Sequence, residues 1–351
     1  MTTPPRPDTA DRPRSDPAAE PPPAPAAGDD ERIRVDSPLE TQDPAAVLAE
    51  LRAGLAASPR RLPPKYFYDD AGSALFERIT ELPEYYQTRA ERALLAAIAD
   101  DVVRRTGARE LVEIGSGAAT KTQLLLDAME RARQLDLYVP MDVSEGTVWR
   151  VARELVERYP TLRVHGVVGD FMSHLREIPD SCERLVIFLG GTIGNLEPAV
   201  ARRFLRTLGS QMRPGEHLLL GVDRIKDAAR LLAAYDDDAG VTAEFNRNIL
   251  LVVNRLAGGD FDPAAFRHEA RWDAAGHRIE MWLVAERAQT VRLEALDLTL
   301  EIAAGEEILT EISTKYDEAL AAALLDDSGF ALEHWYSGPE DLFALCLARR
   351  R

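Results

Sequence analysis

The first chemical signal is a set of glycines at the end of an apolar run. RLVIFLGGTIGNL, residues 184–196, reads as a buried strand that ends in Gly190, Gly191, Thr192, Gly194 and Asn195. Glycine removes the side chains that would keep a ligand away from the backbone. Asn195 is the polar side chain left there, able to donate and accept hydrogen bonds. Its plainer reading is an N-cap for a helix starting near Pro198. A second glycine turn, VEIGSGAATKT, puts Gly115 and Gly117 where a strand meets a helix. The two following apolar runs end in acids, Asp142 in VPMDVS and Asp170 in VVGDF.

Carboxylates at such positions accept from hydroxyl and amino groups. Asp142 suits the two hydroxyls of a ribose, and Asp170 an adenine amino group while Phe171 stacks on the base. Thr120 replaces the third glycine of the dinucleotide fingerprint, so no pyrophosphate cradle forms. The set describes an adenosine site without phosphates and favours S-adenosylmethionine over NAD. Lys121 has two readings, a partner for the methionine carboxylate or a solvated lysine on the first helical turn. Either aspartate could instead cap the helix that follows it.

These residues need a scaffold that brings strand ends together. Strands at 110–114, 137–143, 163–170, 184–190 and 216–223 alternate with helices at 120–134, 145–159 and 198–211. Near-continuous apolar strands alternating with helices imply an α/β fold with a parallel sheet covered on both faces. Its ligands bind beyond the carboxyl ends of the strands. Upstream lie a helix at 44–58 and a long amphipathic helix from about Thr88. After 225 the pattern changes. HRIEMWLVAER (277–287) alternates, with Ile279, Met281, Leu283 and Ala285 on one face. VRLEALDLTLEI (291–302) alternates with a phase slip at Ala295-Leu296, as a bulged strand would. A helix at 317–328 and a terminal hairpin would complete the first sheet.

The expected division is a Pro/Ala-rich disordered tail at 1–36, a nucleotide-binding domain at 90–225 plus 315–351, and a smaller α+β accessory domain at 37–89 plus 226–314. The first 31 residues hold nine of the chain's 22 prolines and too few apolar side chains to offset ordering entropy.

Composition narrows the partners. The formal charge of −17 repels phosphate backbones, which argues against nucleic acid. No apolar run has the length of a membrane span, and the N-terminus lacks a signal-peptide core. Cys182 and Cys346 form neither a disulfide framework nor a ligand cluster and suit a reducing, cytoplasmic compartment. The histidines lack metal-ligand spacing, Asp236-Asp237-Asp238 reads as a solvated turn, and no metal is expected. The expected state is a monomer.

Several longer stretches resemble one family. VEIGSGAATKTQLLLDAM, FLGGTIGNL, YDDDAGVTAEFNRNILLVVNR, GEEILTEISTKY and LPPKYFYDDAGSALFERITELPEYYQTRAE are similar to the L-histidine Nα-methyltransferases of ergothioneine biosynthesis, over essentially residues 45–350. The resemblance implies a class I, Rossmann-like methyltransferase sheet with an accessory substrate domain. It implies S-adenosylmethionine-dependent trimethylation of L-histidine to hercynine in three transfers. It places Gly115, Lys121, Asp142, Asp170 and Phe171 on the cofactor. It implies that Tyr68 closes over the same site and joins Asn195 as a catalytic group. It places Asn195 and Tyr235 at the substrate's amino and carboxylate end, and Tyr85, Met281, Glu311 and Ser313 around its imidazole. Gly191, Tyr66, Thr314 and Tyr316 depart from the family pattern at positions outside this set.

The residues alone fit part of this. On a strand, Glu311 and Ser313 share a face. A carboxylate and a hydroxyl there read a ring with two polar nitrogens, although a solvated pair on an outer strand has the same spacing. Three alternatives remain at this point: a methyltransferase for another amino acid or small amine, a non-catalytic S-adenosylmethionine-binding module, and a dehydrogenase.

Overall fold

The apolar strands do assemble into one large sheet. In the computed structural model, which describes residues 30–38, 43–179 and 183–351, eight strands lie in the order β1-β5-β4-β3-β6-β7-β14-β13. They are β1 (Ile33–Asp36), β3 (Glu110–Ile114), β4 (Leu137–Asp142), β5 (Arg163–Val168), β6 (Arg184–Phe188), β7 (His217–Asp223), β13 (Phe330–Ser337) and β14 (Phe343–Arg350). The strands from β1 to β7 run parallel, and β14 is antiparallel to both its neighbours. Helices α3 (Gln87–Thr106), α4 (Gln123–Arg131), α5 (Glu145–Arg158), α6 (Pro198–Ser210) and α9 (Glu318–Asp326) supply apolar side chains to two separate cores. All five residues of β6 are buried, as a central strand covered on both faces requires.

The second sheet has four strands in the order β2-β12-β9-β8: β2 (Arg60–Arg61), β8 (Phe266–Asp273), β9 (Arg278–Ala285) and β12 (Glu307–Thr314). It packs with α1 (Pro44–Ala56), α2 (Asp70–Glu81), α7 (Ala228–Ala233) and α8 (Val241–Ala257) around a third core that contains Phe67, Phe245, Ile279, Met281, Leu283 and Ile308.

Three sequence expectations change. Of the tail expected at 1–36, residues 1–29 lie outside the described residues, as does Cys182, but its last stretch is ordered. Ile33–Asp36 forms β1, and Asp36 meets His165 of β5 at 2.7 Å. The run 291–302 is not one bulged strand. It folds back as β10 (Gln289–Leu293) and β11 (Leu298–Ile302), joined by a 3-10 turn at Glu294–Leu296 with Asp297 at φ 45°. The aspartate triplet is not simply a solvated turn. Asp237 is buried, and its carboxylate accepts from Val241 N at 2.9 Å and Thr242 N at 2.7 Å, capping α8.

A bulge does occur, elsewhere. Opposite β9, Leu309 pairs with Trp282 and Glu311 with Met281, which leaves Thr310 as an extra residue. Ile308 points into the third core, while Leu309 and Ile312 join Trp282 and Val284 on the opposite face. Strict alternation from Ile308 would send Glu311 and Ser313 outward. The bulge turns them inward.

Candidate active site

Two strand ends and two glycine turns form the first half of the site. Gly115 and Gly117 follow β3 at φ 71° and 48°, in the left-handed region that glycine tolerates. A Cβ added to either would meet nothing within 4 Å, so the space above the turn is open. Asp142 closes β4. Its carboxylate accepts from Gly117 N at 2.8 Å and from Ser144 N at 3.0 Å. Ser144, not Asp142, caps α5. Asp170 follows β5, accepts from Met172 N at 2.8 Å and lies 3.8 Å from Lys65 Nζ. Phe171 packs edge-on against Phe188 and Phe204. Each carboxylate oxygen has a second lone pair for a ligand donor. Acceptors of this kind beside an open glycine turn fit an uncharged nucleoside and not a phosphate chain. Val143 and Met172, next to the two aspartates, are exposed apolar side chains at the same edge.

Lys121 is not solvated. Its ammonium pairs with Glu91 of α3, whose carboxylate is fully buried and also accepts from Gly190 N at 2.7 Å. The glycine corner is thereby tied to α3. Gly190 and Gly191 have φ 77° and 69°. At Gly194 an added Cβ would come within 2.5 Å of Thr314 O, so this glycine allows the corner to press against β12.

Asn195 ends the 3-10 turn Thr192–Asn195, and it does not cap α6. Its Nδ2 donates to Ile312 O at 2.8 Å, which leaves Oδ1 to accept. The amide also stabilises the Glu311 carboxylate, as does Lys315, but burial outweighs both and raises the Glu311 pKa to about 7.

Ser313 and Lys315 continue the inward face. The Ser313 and Tyr235 hydroxyls are 2.8 Å apart, and Lys315 Nζ donates to both, at 2.7 and 2.9 Å. Lys315 is fully buried and pairs with Asp223, at the end of β7, at 2.8 Å. Asp223 also receives Lys226 at 2.5 Å and the Tyr86 hydroxyl at 2.9 Å. Burial opposes the charges on Asp223 and Lys315, yet each partner outweighs it. The Asp223 pKa is lowered and the Lys315 pKa raised. Lys226, with less compensation, is pulled down by burial to about 8.

Tyr68 and Tyr85 complete the wall. Tyr68 packs edge-on against Phe76 and Phe245, and Phe76 against Tyr85. Tyr68 is 45 % exposed as a residue. Burial, then Glu311 and Tyr235, raise its pKa. Burial also raises Tyr85, followed by Tyr235, Tyr68 and Glu311. Met281 is buried directly across from Glu311.

The structure therefore gathers the residues expected from sequence into two adjoining groups. Gly115, Lys121, Asp142, Asp170 and Phe171 line the strand ends. Asn195, Tyr68, Tyr85, Tyr235, Met281 and Ser313 gather around Glu311. Sequence reading missed Asp223, Lys315, Glu91, Tyr86 and Lys226. Two of these had a signal. Asp223 ends its strand as Asp142 and Asp170 end theirs, and Lys315 continues the alternation of Glu311 and Ser313. Among the described residues, no group of three or more His, Cys, Asp or Glu side chains is placed to hold a metal, and no helix is long and apolar enough to cross a membrane.

Comparison with known proteins identifies the family. The chain is 49% identical over 305 residues to a histidine N-alpha-methyltransferase of Mycolicibacterium smegmatis, an alignment covering 87% of this chain and 95% of that protein. It is 48% identical to the Mycobacterium tuberculosis protein of the same name, with the same coverage. It is 30% identical to ergothioneine biosynthesis protein 1 of Neurospora crassa over 80% of this chain and 32% of that protein. Residues 47–350 match a family described as histidine-specific, SAM-dependent methyltransferases. With an open nucleoside edge beside a polar acceptor cluster and a match over that whole span, the chain belongs to the SAM-dependent, histidine-specific methyltransferase family.

Proposed function

We propose that the protein methylates the α-amine of L-histidine three times, producing the trimethylammonium betaine hercynine, as a first step toward ergothioneine. The observation that carries this reading is the inward face of β12. It sets Glu311 and Ser313, with Lys315 just past its end, beside Asn195 and over the glycine corner. S-adenosylmethionine supplies a methyl group activated on a sulfonium. Gly115, Asp142, Asp170 and Phe171 are the residues that would hold its adenosine end.

Glu311 and Ser313 suit the imidazole. A carboxyl whose pKa is about 7 is matched to a ring that titrates near 6.5 in water, so one proton can be shared along the hydrogen bond. Phenylalanine or leucine would leave both polar groups unpaired, which is the basis of discrimination. Lys315, Lys226 and Asp223 together carry one net positive charge beneath Tyr235 and Ser313, and a substrate carboxylate would complete that group. Asn195 Oδ1 can orient the amine by accepting its N–H. An α-amine has a pKa of about 8 or above, so a neutral fraction exists without a dedicated base. Positioning alone accounts for a large share of the acceleration in well-oriented transfers, roughly 7–11 kcal/mol. Each methylation removes an N–H, so the imidazole and carboxylate contacts must hold the substrate through all three rounds.

In this reading the four-stranded sheet and its helices are the accessory substrate domain, and the eight-stranded sheet is the cofactor domain. The test is incubation with L-histidine and S-adenosylmethionine, followed by mass spectrometry. Mono-, di- and trimethylated histidine are expected in succession. No methylated histidine, or faster methylation of another amino acid in a panel, would refute the reading.

A further inference from the structure

Helix α3 buries one stripe: Gln87, Glu91, Leu95, Ile98 and Val102. The last three are ordinary core residues. The first two are polar and lie at the helix start, at the carboxyl ends of β6 and β7. Glu91 fixes that position, because its carboxylate holds Gly190 N–H and Lys121. Tyr86 fixes it from the other side, through its bond to Asp223. Gln87 lies one turn from Glu91 on the same face, farther beyond the strand ends.

Gln87 is 4 % exposed, yet neither Oε1 nor Nε2 has a hydrogen-bond partner. A buried amide without partners is costly, and native proteins retain few of them. Ser116 Oγ, within the Gly115–Gly117 turn, is also buried without a partner. Both orphans belong to the segments that border the glycine corner. The adenosine end of the cofactor is matched by Asp142 and Asp170 at β4 and β5, away from this corner. The amino-acid end, which carries an ammonium and a carboxylate, needs an acceptor and a donor. A glutamine side chain provides one of each.

We propose that Gln87 receives the amino-acid end of S-adenosylmethionine. Its Oε1 accepts from the ammonium and its Nε2 donates to the carboxylate, with Lys121 as the neighbouring cation. Glu91 balances Lys121, so a zwitterion enters a receptor that is itself neutral. This assignment rests on the cofactor reading above.

The test uses two ligands that differ at that end, S-adenosylhomocysteine and 5′-methylthioadenosine, titrated calorimetrically into the full-length wild type and Gln87→Met. Methionine keeps the length and removes both polar atoms, a change that leaves an orphaned buried site neutral or more stable. The variant is expected to bind S-adenosylhomocysteine about ten- to a hundredfold more weakly, the range for losing hydrogen bonds to charged groups. Methylthioadenosine should bind within twofold of wild type, and the melting temperature should not fall. Unchanged homocysteine-ligand affinity overturns the assignment. So does an equal loss for both ligands, or a rise only in the KM for histidine. A wild type that binds neither ligand overturns the cofactor reading as well, which separates the two failures.

Discussion

Glu311 on β12 and Met281 on β9 are direct cross-strand partners, and they share the inner face of the sheet because Thr310 is bulged out of register. A carboxyl group and a thioether therefore form adjacent parts of one wall, the first polar and the second apolar. Removing the polar half should cost substrate recognition and spare the cofactor end. Glu311→Ala is expected to lower kcat/KM for histidine by about 10- to 100-fold, the scale of one hydrogen bond to a charged group. S-adenosylhomocysteine affinity should hold. Unchanged histidine kinetics would remove Glu311 from the site.

The same carboxyl sets a pH dependence for the unliganded protein. Its pKa is raised from 4.5 to about 7 by burial. Between those values the folded state binds the proton and the unfolded state does not, so stability falls as pH rises from about 4.5 to 7. Glu113, raised to about 7 by burial between Thr122 and Tyr138, acts in the same direction. Glu311→Gln should melt at a higher temperature than wild type at pH 8, by the equivalent of about 1–3 kcal/mol. At pH 4.5 the gain should disappear. An equal difference at both pH values would show that Glu311 is not the titrating group.

Lys315 and Asp223 form an ion pair inside the protein, and removing one partner leaves the other to Lys226 and Tyr86 alone. Lys315→Met should lower stability by about 3 kcal/mol, at the low end for breaking a buried pair because those partners remain. It should raise the KM for histidine while S-adenosylhomocysteine still binds. Thermal unfolding and calorimetry read the two effects separately. A melting temperature equal to wild type would contradict the pairing.

Gly194 is where the corner meets β12. Gly194→Ala puts a methyl group within 2.5 Å of Thr314 O, so backbone has to move on one side. The expected result is a folded protein with at least a tenfold loss of kcat, because Asn195 and Ile312 O are displaced from their 2.8 Å contact. Wild-type turnover in this variant would show that the approach is not needed for alignment.

Much of this was legible in the chain. Apolar runs such as Leu185–Phe188 and Leu218–Val222 read as central strands buried on both faces. The acids at the ends of β4 and β5, Asp142 and Asp170, could be paired from the strand pattern alone. Other parts depend on contacts between segments far apart in the chain. Nothing local to Leu309-Thr310-Glu311 announces a bulge, since alternation reads equally well in either phase. Glu91 looks like any polar position on an amphipathic helix until Lys121 and Gly190 are brought to it. Lys226 and Tyr86 acquire meaning only from Asp223. The hairpin at 289–302 was misread because Asp297 in a left-handed conformation reverses a chain that alternation alone would carry straight on.

Beyond Thr314, β12 leaves its own sheet and joins the other. Tyr316 N donates to Asp223 O at 2.8 Å, and Ile225 N donates to Tyr316 O at 3.1 Å. The ten residues from Glu307 to Tyr316 thus run as one taut segment from the small sheet to the large one, carrying Glu311, Ser313 and Lys315 on the way. The accessory part cannot be treated as an exchangeable cartridge. A chimera joined on either side of this segment would inherit either Glu311, Ser313 and Lys315 or the anchor that fixes them to the large sheet. Only a graft that moves the segment intact, together with the glycine corner it rests on, would transfer both.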